Sequence, residues 1–374
     1  MYELFLTCAK GLEQVSADEL ANLGVSNPKI ETGGVSFKGE LADIYRINLW
    51  SRVGIRLLQN VFEFPIRHSD DIYHNLSDVS WKKYFDNKST FAVSSFVRDS
   101  VVKNSSYTSL VVKDAIVDYF RKHSFKRPSV DKKEADIRLN VYITNNYCKV
   151  YIDSTVTPLY KRGYRQELHE ASLNEALAAG IIYLSGWDKS SNFFDPLCGS
   201  GTFAVEAALM ALNIAPGIQR NNFGFMKWNN FDKQLWNQIL KDANDSIKSS
   251  LNFRILASDI DGKAIQLASG NAARSRVGKH IQFQMRKFQL FRPNTKVGTI
   301  ICNPPYGIRI GQDTELELLH KQLGDMFKNF AKGMNAFIFT GNLELLKSVG
   351  LKSTIKIPLY NGRIDSRLVK YEMY

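Results

Sequence analysis

The sequence is poor in cysteine: four residues, Cys8, Cys148, Cys198 and Cys302, stand among 374, with no Cys-x-x-Cys pair and no histidine partner beside them. That scarcity argues against a disulfide framework and against a zinc or other metal site, and points to a reducing, cytoplasmic setting. No apolar run reaches the roughly 18 residues of a membrane span. The N-terminus has no charged segment leading into an apolar core, so no signal peptide is expected. Internal repeats and low-complexity tracts are also missing. Acidic charge is in deficit: 37 Asp and Glu against 49 Lys and Arg leave a net charge of +12. A balance of that kind favours a polyanionic partner, and the cations are spread through the chain rather than gathered in a tail.

Two phosphate-binding signatures are incomplete. Asp195-Pro196-Leu197-Cys198-Gly199-Ser200-Gly201-Thr202 lies between a short strand, Asn192–Phe194, and an apolar helix, Phe203–Leu212. Its glycines permit a tight turn and close approach of a ligand to the backbone at a helix N-terminus. The lysine of a P-loop is lacking, and so is the third glycine of the dinucleotide fingerprint, so neither ATP nor a nicotinamide cofactor is well supported. A second strand, Phe253–Ala257, ends in Ser258-Asp259-Ile260-Asp261. An acid at such a tip can take the two hydroxyls of a ribose, while Asp261 is placed to cap the helix Gly262–Ala273. The long stretch between Asp195 and Asp259, with Ala215-Pro216-Gly217 and Phe223-Gly224-Phe225, reads as an insertion.

What is present in full is Cys302-Asn303-Pro304-Pro305-Tyr306-Gly307, after the buried strand Val297–Ile301. Two prolines remove backbone donors and fix φ, so the chain leaves the sheet in a stiff turn. One amide side chain, free carbonyls and one ring then stand at the carboxyl end of a strand, where open α/β sheets bind ligands. Such a cluster suits methylation of an exocyclic base amine. The Asn303 oxygen and the Pro304 carbonyl can accept the two N–H bonds of the amine, and Tyr306 can stack on an extruded base. A plain Pro-Pro turn that ends a strand is the competing reading.

The N-terminal half alternates short strands and helices. Tyr2–Cys8, Val35–Lys38 and Arg52–Phe64 read as strands, and Gly11–Leu23 and Leu41–Trp50 as helices. Further on, the spacing predicts a strand over Thr90–Phe96 and a helix over Ser109–His123 with Leu110, Ala115, Ile116 and Tyr119 on its apolar side. Ile137–Thr144 and Tyr147–Ser154 read as a hairpin about Asn145-Asn146. The run Arg121–Arg127, with Lys103 and Lys113, can form a basic face for RNA. Tyr160-Lys161-Arg162-Gly163-Tyr164-Arg165 is either a linker or a phosphate contact. Ser172-Leu173-Asn174-Glu175 reads as a capping box that opens the helix Leu173–Leu184. Ile281–Met285, Ala336–Thr340, Ile355–Leu359 and Leu368–Tyr374 complete a strand-rich C-terminal half.

Asp-Pro-Leu-Cys-Gly-Ser-Gly-Thr, Ser-Asp-Ile-Asp and Asn-Pro-Pro-Tyr-Gly, in this order, resemble a class I S-adenosylmethionine-dependent methyltransferase acting on an amine nitrogen. Gly11-Leu12-Glu13, Gly33-Gly34-Val35, Asp136-Ile137-Arg138, Arg162-Gly163-Tyr164-Arg165 and Ala215-Pro216-Gly217 narrow the resemblance to the THUMP-domain RNA guanine-N2 methyltransferases, most similar to the bacterial 23S rRNA enzymes. The resemblance implies an α/β chain in which a Rossmann-like seven-stranded methyltransferase domain is preceded by an α+β ferredoxin-like and THUMP RNA-binding region. The expected limits are residues 1–65 for the ferredoxin-like part, 66–158 for THUMP and 159–374 for the methyltransferase. It further implies S-adenosylmethionine held by Asp195, Cys198, Gly199, Gly201, Asp259 and Ile260, guanine held by Asn303, Pro304 and Tyr306, no metal, and RNA (23S rRNA or a large-subunit assembly intermediate) as partner. One position departs. Where such enzymes carry an adenine-contacting Asp after the third strand, Lys287 stands, and lysine only donates. Some bacterial members carry a second methyltransferase domain after this one. With Tyr374 last in the sequence, a second activity is expected on a separate protein. The alternatives are a methyltransferase for another base amine, in tRNA or DNA, and a non-catalytic RNA-binding assembly factor. An oxidoreductase is the most distant reading.

Overall fold

The computed structural model describes residues 1–124, 126–165, 173–293, 295–305 and 313–373. Its first sheet is built from β1 (Tyr2–Cys8), β2 (Lys29–Glu31), β3 (Gly34–Gly39), β4 (Gly54–Pro65), β5 (Thr90–Arg98), β6 (Ser129–Val130), β7 (Ile137–Thr144) and β8 (Tyr147–Asp153). The helices of this half are α1 (Glu13–Asn22), α2 (Leu41–Trp50), α3 (Asp71–Ser77) and α4 (Ser105–Ser124). Strand order is β2-β3-β1-β4-β8-β7-β5-β6. The long β4 pairs with β1 and, antiparallel, with β8, so one continuous sheet runs through the ferredoxin-like and THUMP regions. Asn145 and Asn146 both take positive φ, 52° and 58°, the conformation that a two-residue hairpin turn demands.

Two N-terminal expectations need correction. Helix α4 starts at Ser105, and its inward stripe is Thr108, Val112, Ala115, Ile116 and Tyr119, at spacings of three and four. Leu110 falls off that stripe and is 53% exposed. The two arginines of the basic connector are also not placed as phosphate contacts, although Lys161, between Tyr160 and Arg162, is exposed. Arg162 is buried, donates to the Leu159 carbonyl at 2.6 Å and to the Arg52 carbonyl, and lies 3.6 Å from Glu206. Arg165 donates to Thr202 Oγ1 and lies 3.7 Å from Glu175. With side chains 2% and 6% exposed, the two guanidiniums face the protein interior and not a phosphate in solvent.

The C-terminal half contains α5 (Glu175–Leu184), β9 (Phe193–Asp195), α6 (Thr202–Ala211), α7 (Lys233–Asp245), β10 (Ile255–Asp259), α8 (Gly262–Arg274), β11 (Ile281–Met285), β12 (Thr299–Cys302), α9 (Asp313–Phe330), β13 (Asn335–Thr340), α10 (Leu345–Ser348), β14 (Ile355–Asn361) and β15 (Ile364–Glu372). Its seven strands run β11-β10-β9-β12-β13-β15-β14. Helix α5 opens at Glu175, not at Leu173. Asn174 is the cap, its side chain accepting from the Leu177 amide at 2.8 Å. Ser172, given that role above, lies outside the described residues.

The two halves interlock. Gly180 on α5 leaves room for Leu12, whose Cδ1 would lie 2.5 Å from any Cβ there. The insertion between β9 and β10 packs on the N-terminal half: Phe223, Phe225, Trp228 and Trp236 join the core that contains Tyr45 of α2. The Tyr45 ring lies 4.4 Å from Phe225 and 6.0 Å from Trp236, and its hydroxyl accepts from the Asp232 amide at 2.9 Å. Helix α7 was not read from the sequence; its cap is Asp232, accepting from Gln234 and Leu235 amides. Because Trp236 is 5% exposed, Trp236→Ala is expected to destabilise the protein by about 3–5 kcal/mol. The check is a lower urea midpoint followed by circular dichroism; an unchanged midpoint would show that the insertion is not a structural brace.

Candidate active site

In the C-terminal sheet the short β9 lies between two parallel neighbours, β10 and β12. The chain proceeds outward from β9 in one direction through β10 and β11, and in the other through β12 and β13. The connections diverge at this point, which opens a crevice at the carboxyl ends of the strands. Asp195 ends β9, Asp259 ends β10, and Asn303 follows β12.

The loop from Asp195 to Thr202 is held from several sides. Gly199 and Gly201 have φ of 50° and 77°, the left-handed region that favours glycine. A Cβ on Gly201 would lie 2.8 Å from the Ala268 Cβ on α8, whereas Gly199 faces open space. The Cys198 amide donates to the Ser258 carbonyl at 2.9 Å, and Asn271 Nδ2 donates to the Ser200 carbonyl at 2.9 Å. Asp259 is oriented by two backbone donors: Gly199 to Oδ2 at 2.9 Å and Asp261 to Oδ1 at 3.0 Å. Each oxygen keeps a further lone pair for a ligand hydroxyl. Asp261 caps α8 as expected, accepting from the Lys263 amide. Beyond Asp259, Ile260 is 61% exposed, and Met285, the cross-strand neighbour of Asp259 on β11, is 71% exposed.

Two acceptors in the crevice have no partner. Asp195 is 1% exposed and its Oδ1 receives no hydrogen bond. Burial drives its carboxyl well above the usual aspartate range; the Leu197 amide works against this and the charge of Asp259 adds to it. Asn303 Oδ1 is likewise buried and unpartnered. Pro304 is buried beside it and Pro305 is exposed. Burial also pushes the Cys198 and Cys302 thiols up, which makes them inert packing groups. Tyr306 lies outside the described residues. Lys287 is exposed at the start of a short turn, and the preceding Arg286 amide donates to the Asp259 carbonyl at 2.8 Å.

Over residues 162–370 the sequence matches the family of the RMKL-like methyltransferase domain. The chain belongs to this family. Residues 3–58 match the RlmL ferredoxin-like domain and residues 67–153 the THUMP domain. A Synechocystis sp. protein provisionally named an RNA methyltransferase is 40% identical over 370 residues, 99% of this chain and 96% of that protein. The ribosomal RNA large subunit methyltransferase K/L of Psychromonas ingrahamii is 38% identical over 378 residues, covering 100% of this chain and 50% of that enzyme. The chain thus spans about half the length of its K/L relatives. The crystal structure of SMU.472, a provisionally assigned methyltransferase complexed with SAH, has a TM-score of 0.92 at 31% identity and covers 100% of this chain and 98% of that one.

This RMKL-like protein is an S-adenosylmethionine-dependent RNA methyltransferase. The residues present fit such a cofactor: a buried carboxyl on Asp195 with Oδ1 left unpartnered, two left-handed glycines at a helix start and a pre-oriented Asp259 stand at neighbouring strand tips. Among the described residues no group of three or more His, Cys, Asp and Glu is placed to hold a metal, and no helix is long and apolar enough to cross a membrane. Asn271, Thr202 and Arg165 support the loop and were missed from the sequence. Thr202 closes the glycine motif and Arg165 the basic connector, but neither was given this role, and nothing in the local pattern of Asn271 on α8 marks it.

Asp195 also carries a pH signature. The folded chain holds a proton there that the unfolded chain releases above the ordinary aspartate range, so the stability Asp195 lends falls as pH rises. Asp195→Asn, which cannot ionise, is expected to raise the melting temperature of the ligand-free protein more at about pH 8 than at about pH 5. Scanning calorimetry at the two pH values checks this; an equal change at both would show an ordinary carboxylate.

Proposed function

We propose that the protein transfers a methyl group from S-adenosylmethionine to the exocyclic N2 amine of a guanosine in RNA, with 23S rRNA as the substrate. The observation that carries this reading is the buried, unpartnered Asn303 Oδ1 at the end of β12, in the same crevice as the unpartnered Asp195 Oδ1. An aromatic amine is a poor nucleophile because its lone pair is delocalised into the ring. In this reading Asn303 Oδ1 and the Pro304 carbonyl accept its N–H bonds, fix the nitrogen and favour the positive charge that builds there. Tyr306 stacks on the extruded base.

Asp195 takes a polar group at the methionine end of the cofactor. Gly199, Gly201 and the backbone of Cys198 allow its close approach, Asp259 takes the ribose hydroxyls, and Ile260 covers the adenine. The cofactor supplies an electrophilic methyl on a sulfonium. No general base is required, since the amine loses its proton after transfer. The choice of guanine N2 rests on the motifs of the sequence, and that of large-subunit RNA on the K/L relatives. Four free, buried cysteines fit a cytoplasmic enzyme.

Asn303→Ala is expected to lower the single-turnover rate on undermodified 23S rRNA by about 10²-fold or more while RNA affinity stays near wild type. Nucleoside analysis of tritium-labelled product identifies the base: label outside N2-methylguanosine overturns the assignment, and an unchanged rate removes Asn303 from the chemistry. Gly201→Ala places a Cβ against α8 and strains a left-handed residue. It is expected to weaken binding of S-adenosylhomocysteine by about tenfold or more in calorimetry; wild-type affinity would mean that this loop does not form the cofactor site.

A further inference from the structure

Eight cations gather at one end of the THUMP region. Lys122, Lys126 and Arg127 surround the carboxyl end of α4. Lys82 and Lys83 arrive from the short turn Trp81–Lys83, which is tied to that helix end because Lys82 Nζ donates to the His123 carbonyl at 2.6 Å. β5 and β6 are parallel and begin at this end, Thr90 beside Ser129, which brings in Lys88 just before β5 and Lys132 and Lys133 just after β6. All eight side chains are exposed, and among the described residues none has an ion-pair partner.

The acids at this end are largely committed. Asp86 accepts from the Lys88 and Ser89 amides, Asp131 accepts from the Lys133 and Glu134 amides, and Asp136 lies 3.2 Å from Lys227. Among the described residues, Glu134 and Asp78, which shortly precedes Lys82, are the neighbouring acids that are exposed and outside such a contact. Lys113 and Lys103, grouped with this cluster from the sequence, do not belong to it. Lys113 is paired with Asp114. Lys103 precedes the far end of α4, a helix of 20 residues, which spans about 30 Å.

Among the described residues, the exposed Phe and Tyr rings are elsewhere, and the His123 ring at this end lies 4.3 Å from that of Tyr119. Phe96, at the end of β5, and Tyr107, in the first turn of α4, are 52% and 56% exposed at the opposite end, whereas Trp81 and Phe85 beneath the cations are fully buried. Surfaces for single strands interleave cations with stacking rings; cations without such rings read phosphates.

We propose that this end of the THUMP region is a docking surface for the phosphate backbone of double-helical RNA, a reading that rests on the RNA substrate proposed above. The surface extends to the insertion of the methyltransferase half, where Asn229 Nδ2 donates to the Lys82 carbonyl at 3.2 Å and Lys227 meets Asp136. It grips the duplex next to the target without reading bases, and leaves base selection to the crevice.

The test is fluorescence anisotropy of a labelled RNA hairpin with the full chain across a salt series. The variant carries Lys83→Ala, Lys122→Ala, Lys126→Ala and Arg127→Ala; Lys82 is spared because it bonds to α4. The expected result is affinity at least tenfold weaker and a log–log salt slope reduced by roughly two to four, with S-adenosylhomocysteine affinity and melting temperature unchanged. A control with Arg98→Ala and Lys103→Ala at the opposite end should keep the wild-type slope. If the wild type binds the hairpin and the fourfold variant keeps its slope, or the control loses as much, this surface is wrong while the RNA reading stands. If the wild type binds no RNA at any salt, both fall.

Discussion

Two oxygen acceptors, on Asp195 and Asn303, are buried without partners on either side of the point where the sheet reverses direction. Each such group costs about 1–3 kcal/mol against folding. The sheet can hold them because the strands beneath are saturated with apolar contact: Phe193, Phe194, Ile300 and Ile301 are all within 1% of complete burial. The same rigidity keeps the two acceptors unsatisfied, since neither backbone can shift to find a donor. A ligand that brings donors into the crevice therefore supplies what folding leaves undone, and the site is organised before anything binds.

The cofactor loop is not supported by the sheet alone. Arg274 donates to the Tyr164 carbonyl at 2.6 Å and to Asn271 Oδ1 at 2.5 Å, and Asn271 passes the contact to the Ser200 carbonyl. A second path runs from Arg165 to Thr202. Residues 164 and 165 belong to the linker whose other end is anchored on the N-terminal half by Arg162 and by Arg220, which donates to the Thr155, Thr157 and Pro158 carbonyls. The linker thus fixes the RNA-binding half and the glycine loop in one frame. Its arginines are held in that task, whereas the cations at the carboxyl end of α4, before β5 and after β6 have no ion-pair partner among the described residues.

The large insertion has a comparable role. Sequence order puts it inside the methyltransferase half, yet its aromatic residues complete the core under α2. Together with Leu12 seated on Gly180, this gives the two halves shared cores in both directions. The crevice and the THUMP region are then parts of a single body joined by shared cores.

Local signals settled a good part of this in advance. Strand tips at Asp195, Asp259 and Asn303, the helix over Leu41–Trp50 and the Asn145-Asn146 turn follow from glycine, proline and asparagine chemistry acting over a few residues. So did the family, because its motifs are contiguous. Tertiary structure decided the rest. The connector with Arg162 and Arg165 read equally as linker or phosphate contact until Glu206, Glu175 and Thr202 came within reach, and Leu110 read as core although it falls off the buried stripe of α4. The cap of α5 passed to Asn174, and Asn271 became part of the site only when α8 lay against the loop. In each case the deciding partner is distant in sequence, and its pull depends on burial and on distances of a few ångströms that no local pattern encodes.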